Sequence, residues 1–344
     1  MHKVLYVYKW ATMGGVERVL LNRAQAFKSS NLQVAQDVFF LHDSGGKRLL
    51  NKYINDYKLG HYLQVVEKFV PDQYDVIHSI DTPEIFDMMK NNEKIFFECH
   101  TAYTENRTYI AKLPLDIKGI IVPSEKFRQD IMDEIPILLQ ENTFTLRNSV
   151  PKELFTMTTD VSKRFNKIPI AYIGRIDKLK NTEEVIEIFS LLQKRLGDRF
   201  ILLVAGPITS EVNLFKIIEN KNLSNRFIYL PPLPFEKIIN LLNFIKVNNG
   251  LFISSSKGES FGLSVAEAIM SGIPVVASHL HSHLVNGNQL FLYQLGNLEE
   301  AVRKIECILE NSKTVEDELL SISENFSNIV FLNDWSNLFE REYI

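Results

Sequence analysis

The feature that most constrains this chain is a repeated order: a short apolar run, a turn, a longer segment of helical period, then another apolar run. Val4 to Tyr8 reads as a strand and Gly15 to Phe27 as the helix that follows it. Val34 to Phe40, Val76 to His78, Ile95 to Cys99, Gly119 to Val122 and Phe144 to Leu146 read as further strands, with helical stretches such as Lys47 to Val70 and Glu125 to Glu134 between them. A second series runs through Ile168 to Ile173, Phe200 to Ala205, Phe227 to Leu230, Gly250 to Ser254 and Pro274 to Ala277. Strands joined by helices pair in parallel, because each crossover returns the chain to the same end of the sheet.

The expected fold class is therefore α/β, with two Rossmann-like parallel-sheet lobes facing an interdomain cleft. A length of 344 residues agrees with two domains of the usual size. Their limits follow from where the period fails: a lobe over 1–150, a polar linker or hinge over 151–166 that opens at Pro151, a second lobe over 167–325, and a last helix over 326–344.

Composition removes several classes. Lys plus Arg total 38 against 42 for Asp plus Glu, a formal charge of -4, so a nucleic-acid platform is not expected. Cys99 and Cys307 stand far apart, in neither a disulfide framework nor a metal-site spacing, which fits a reducing cytoplasm. No apolar run approaches the ~18 residues of a membrane span, and MHKVLYVYKW is interrupted at Lys9, too early for a secretory apolar region. A cytoplasmic protein is expected. Contact with the inner face of a membrane stays open, since a surface patch leaves no periodic trace.

In open parallel sheets, ligands bind beyond the carboxyl ends of the strands. The densest motif there is Ser256 to Ala268, SKGESFGLSVAEA, between a strand and a helix. Gly262 lets a ligand approach the backbone, and the N–H groups from Phe261 through Leu263 to Ser264 make an anion site at the helix start. Glu259 precedes that helix and Glu267 lies about one turn into it, with seven residues between them. Two carboxylates beside an anion site are reconciled by a ligand that is both polyol and phosphate. Gly174 to Lys180, GRIDKLK, follows the strand Ile168 to Ile173. Arg175 offers a planar fork and Lys180 a movable point charge to a departing diphosphate, with Lys178 the second choice.

These motifs resemble retaining nucleotide-sugar glycosyltransferases of the GT-B fold, family 4, also called glycosyl transferases group 1. The resemblance rests on the E-x7-E pair inside ESFGLSVAEAIMSGIPVVAS and on the Arg-x4-Lys pair. It implies that Glu259 contacts the donor sugar, Glu267 the ribose, and Arg175 with Lys180 the diphosphate. Gly14 and Gly15, in MGGVER, resemble the family's glycine loop beneath donor and acceptor; the absence of G-x-G-x-x-G lowers a dehydrogenase reading. His100, directly after a strand, resembles the active-site histidine that helps hold the sugar and the charge at its anomeric carbon. His78 reads as a packing residue. Asn148 resembles an interlobe asparagine at the hinge. The stretch Phe326 to Tyr343 resembles the final helix that crosses back to the first lobe.

Two departures from the family pattern stand out. Asn181 replaces a glycine and is expected to cap the next helix with Glu184. His279, His281 and His283 replace a glycine-rich turn and read as a loop, since no acidic or cysteine cluster accompanies them. Ser124 with Glu125 reads as a capping pair. With no Asp-x-Asp present, the resemblance implies transfer without a metal and without a cofactor other than the donor substrate.

The expected activity is transfer of a hexose-type sugar from an NDP-sugar, UDP-sugar favoured on family frequency, to a glycan or lipid-linked acceptor in envelope polysaccharide synthesis. Two alternatives carry other expectations: a catalytically inactive GT-B partner of another transferase, and a sugar-nucleotide epimerase.

Overall fold

The computed structural model describes residues 2–30, 32–155, 165–281, 284–285 and 287–340. The chain forms two compact units, Met1–Pro151 with Phe326–Ile344, and Lys152–Asn325. Residues 156–164 of the expected hinge and His283 lie outside the described residues; Lys152–Phe155, at the hinge's start, is helical.

The first unit is built on seven strands: β1 (His2–Ala11), β2 (Val34–Asp43), β3 (Leu63–Val66), β4 (Val76–Ile80), β5 (Ile95–Glu98), β6 (Gly119–Val122) and β7 (Thr143–Thr145). They are all parallel, in the order β3-β2-β1-β4-β5-β6-β7. Val4 pairs with Gln36 on one side and Val76 on the other, which fixes the register of the central strands. β4 to β6 are buried at every residue, as strands covered on both faces must be.

The second unit repeats the plan with β8 (Ile168–Ile173), β9 (Phe200–Ala205), β10 (Phe227–Leu230), β11 (Leu251–Ser254), β12 (Val275–Ser278) and β13 (Leu292–Tyr293). Its order is β10-β9-β8-β11-β12-β13, again parallel throughout. In each sheet the order reverses beside the first strand, between β1 and β4 and between β8 and β11. Helices cross to opposite faces from that point, so a crevice is left at the carboxyl ends. Where β8 and β9 leave the sheet, Gly206 has φ +142° and a Cβ on it would lie 1.9 Å from the Gly174 carbonyl oxygen. Only glycine permits that approach, and it sets the start of the Arg175 turn.

Three expectations are corrected. The stretch from Lys47 to Val70 is not one helix: Gly46–Asp56 is helical, and β3 follows after a turn. β13, a two-residue edge strand, has no counterpart in the apolar pattern. Asn181 is not a side-chain cap. It takes φ +54° and donates from Nδ2 to Glu184 Oε2 at 2.7 Å. The expected cap at Ser124 does form, its hydroxyl accepting from the Phe127 N–H.

The helix Asn328–Glu340 packs its aromatic stripe on the first unit. Trp335, 3% exposed, meets Phe27 edge-on at 4.9 Å and stacks on His78 at 5.7 Å; Phe331 meets Phe27 at 5.4 Å. Arg147 adds a two-pronged pair with Asp334 at 2.6 and 2.7 Å. Among the described residues no helix is long and apolar enough to cross a membrane. Trp335→Ala should cost the first unit about 3–5 kcal/mol, read as a lower urea midpoint by circular dichroism; an unchanged midpoint would show that this helix does not hold the unit together.

Candidate active site

At the switch point of the second unit, the loops after β8 and β11 are tied to each other. The Lys257 N–H donates to the Leu179 carbonyl at 2.8 Å, and Lys180 Nζ lies 2.6 Å from Glu259 Oε1. Asp177, 3% exposed, shapes the first of these loops. Its Oδ1 accepts the Lys180 N–H at 2.8 Å and its Oδ2 lies 3.3 Å from Arg175 Nε. Arg175 itself keeps about half its side chain in solvent, at 48% exposed. Lys178 is exposed and holds Glu211 only through its backbone N–H.

Burial raises the Glu259 carboxyl, but the Lys180 charge and the His281 ring outweigh it and hold the group well below the ordinary carboxylate range. Glu259 is therefore an anion paired to a long, flexible cation. Glu267, 1% exposed, sits in the helix Leu263–Met270.

Gly262 caps that helix with φ +92°, and a Cβ on it would meet Leu284 Cδ1 at 2.8 Å and His281 Cδ2 at 3.0 Å. The backbone N–H groups of Gly262, Leu263 and Ser264 have no acceptor among the described residues. Phe261, just ahead of them, is 5% exposed and fixes the turn by packing. Open N–H groups at a helix start attract an anion.

The glycine loop of the first unit is arranged differently. The Glu17 carboxylate, on a fully buried residue, accepts the N–H groups of Thr12, Met13 and Gly14 at 2.6, 2.8 and 2.9 Å. The loop at Gly14 and Gly15 thus already holds an anion from its own helix.

At the end of β5 a second carboxylate gathers four hydrogen bonds. Glu98 takes a fork from Arg23 at 2.9 and 2.9 Å, His78 Nδ1 at 2.5 Å and His100 Nε2 at 2.7 Å. Glu98, Arg23 and His78 are fully buried. Desolvation raises the Glu98 carboxyl, but Arg23 and the two imidazoles hold it well below its ordinary range. His100 is fixed at both ends, since its N–H donates to Asp81 Oδ1 at 2.9 Å. Asp81 adopts φ +43° after β4, and burial lifts its carboxyl despite His100 and Tyr109. His78 thus does more than pack: it stacks on Trp335 and also bonds Glu98.

Of the residues marked in the sequence, Lys180, Glu259 and Gly262 are brought together around one helix start in the second unit, with Arg175 joined to them through Asp177. His100 belongs to the Glu98 cluster of the first unit. Asn148 is buried, beside Ser149, whose carbonyl accepts from Asn22 at 2.8 Å. Sequence reasoning gave no role to Glu98, Arg23, Glu17, Asp177 or Asp81. It also read His281 as a loop residue, whereas its ring is fully buried against Glu259 and Gly262.

Two parallel sheets of Rossmann type, each with a switch point at its carboxyl edge, define an α/β protein of the GT-B fold. The family model of the glycosyl transferases group 1 matches residues 159–321. The chain is 27% identical over 319 residues, 85% of its length, to the poly(ribitol-phosphate) alpha-N-acetylglucosaminyltransferase of Staphylococcus aureus strain COL. An uncharacterized glycosyltransferase of Methanocaldococcus jannaschii is 25% identical over 68% of the chain. The chain spans 60% and 58% of the length of those two relatives. Among solved structures, Anabaena HepE in complex with UDP and glucose superposes with a TM-score of 0.79 at 17% identity, over 99% of this chain and 100% of that one. Staphylococcus aureus TarM, in complex with fondaparinux, alpha-GlcNAc-glycerol and UDP, gives 0.75 at 16% identity, over 98% and 100%. Both likenesses are likenesses of fold.

Because the Glu259 carboxyl is depressed in the folded chain, its stabilisation is whole above its ordinary value of 4.5 and is lost as pH falls toward the depressed one. Glu259→Gln should therefore be less stable than the native chain by about 1–3 kcal/mol at pH 7. Urea titrations at descending pH should show that gap closing below 4.5; a gap independent of pH would mean the Lys180 pair contributes nothing.

Proposed function

We propose that the protein is a retaining glycosyltransferase that moves a hexose-type sugar from a UDP-sugar to a hydroxyl of a glycan or lipid-linked acceptor, without a metal, in the assembly of an envelope polymer. The observation that carries this reading is the open helix start at Gly262 beside the Lys180–Glu259 pair. A diphosphate there would meet backbone N–H donors and draw Lys180 from Glu259. Glu259 would then be free to accept from sugar hydroxyls, with Glu267 serving the ribose. Arg175, half in solvent, is placed to swing its fork onto phosphate oxygens.

Charge grows on the diphosphate as the glycosidic bond breaks, and two cations with a helix dipole stabilise it most when it is greatest. For retention, the acceptor oxygen attacks from the face the diphosphate leaves, and a departing phosphate oxygen takes the acceptor proton. We assign the acceptor to the first unit, where Glu98 holds His100 by Nε2 and leaves Nδ1 as the ring atom able to meet a substrate. The relatives support the donor and acceptor classes: one is named for a polyol-phosphate polymer acceptor, and structures of similar fold hold UDP. The cytoplasm, at the inner face of the membrane, is the proposed place of work.

Thermal stabilisation by a panel of nucleotide sugars identifies the donor, and mass spectrometry of products with that donor separates transfer from isomerised donor or no turnover. Arg175→Ala and Lys180→Ala should each lower turnover by more than about tenfold. Unchanged transfer in both would remove this mechanism, and an isomerised donor would replace it.

A further inference from the structure

One buried group in the second unit has no part in the chemistry above. His281 closes the short turn His279–His281 after β12, and its ring is fully enclosed while His279 is exposed. Nδ1 lies 3.4 Å from Ser278 Oγ, whose own proton goes to the Ser256 carbonyl at 2.9 Å. Nε2 has no hydrogen-bond partner among the described residues, and it faces Glu259 Oε1 at 3.7 Å. That is the same oxygen that Lys180 holds at 2.6 Å. The ring edge also packs on Gly262, at the start of the open helix.

A bare lone pair on Nε2 would face a negative oxygen, whereas a proton there is attracted to it, so the form with a hydrogen on Nε2 is the one that can serve the carboxylate. At 3.7 Å the contact is too long for a hydrogen bond while Lys180 occupies the oxygen. A largely buried carboxylate cannot lose a paired cation without another donor, since an unpaired buried charge is strongly disfavoured. Among the described residues, His281 is the donor that stands next nearest to that oxygen.

We propose that His281 is a positioning residue for Glu259: its Nε2–H closes on the carboxylate when Lys180 moves to a bound diphosphate, so that the ammonium is released and the carboxylate stays aimed. This rests on the donor reading of the preceding section. The imidazole stands where the family resemblance places a glycine-rich turn, so the device belongs to this chain's own sequence.

Two experiments decide it, and the first needs no substrate. Long-range proton–nitrogen spectra of the ligand-free protein should show the His281 Nε2 protonated; a bare Nε2 with a protonated Nδ1 overturns the proposal. The second is calorimetric titration with UDP. His281→Leu fills the same buried space without a donor and should weaken UDP binding by about tenfold, the equivalent of one lost charge-assisted hydrogen bond. His281→Gln, which can present an amide N–H, should stay within about threefold of the native chain. In a Lys180→Ala background, where no cation has to be released, His281→Leu should add less than about twofold. An unchanged affinity in His281→Leu, or a full tenfold loss added to Lys180→Ala, overturns the proposal. Native protein that binds no UDP overturns the donor reading instead, and the nitrogen spectrum still decides how His281 meets Glu259.

Discussion

A parallel sheet whose crossovers turn to opposite faces on either side of one strand cannot cover the space above that strand's carboxyl end. That constraint acts twice in this chain, beside β1 and beside β8, and the polar chemistry of both units sits where it acts. The apolar strands beneath supply the rigidity. β8 to β12 are tightly paired, so the loops after β8 and β11 leave from fixed points, and Gly206 allows one of them to start against Gly174 without a gap. The charged residues are thus held by a scaffold whose stability does not come from them.

The two units use buried carboxylates in opposite ways. Glu98 is over-determined: a guanidinium fork and two imidazoles surround it, and no single partner can leave without stranding a buried charge. Such a group cannot change partners easily, and its effect is to fix the ring of His100. Among the described residues, Glu259 has a single close cation, on a four-carbon stem, and a second ring nitrogen at 3.7 Å. A lysine can leave by rotating its side chain, where a bidentate arginine would have to break two bonds at once. The Glu98 cluster is thus rigidly paired, whereas the pairing of Glu259 is exchangeable.

Much of this was legible in the sequence, for identifiable reasons. β5, β6, β8 and β9 are covered on both faces, so they appear as unbroken apolar runs such as Phe200 to Ala205. β3 and β13 lie at sheet edges, where Leu63–Val66 is only partly buried and Leu292–Tyr293 is too short for any period. Lys180 and Glu259 could be singled out because each sits in a local motif at a strand end. The Arg23–Glu98 pair could not, since 75 residues separate the partners and each alone reads as a surface charge. Glu17 is only three residues from Gly14, and the signal was there: an acidic residue at the third helical position commonly reaches back to the preceding N–H groups. His281 was missed because three alternating histidines suggest either a metal or a loop, and only the fold turns one of them inward.

The two helix starts differ in the backbone donors they leave open. Both helices follow a switch-point strand and both begin at a glycine, so by sequence they are equivalent candidates. In the first unit three N–H groups are taken by Glu17, and a phosphate would have to displace a buried carboxylate that is already well bonded. In the second, no side chain reaches back: position 265, where a capping glutamate would stand, is Val265, and the N–H groups of Gly262, Leu263 and Ser264 lack acceptors among the described residues. Valine at the place equivalent to Glu17 leaves the macrodipole and its donors open at this helix start. Arg175 and Lys180 stand on the same unit as these open donors, a combination of sequence choices that the shared fold does not require.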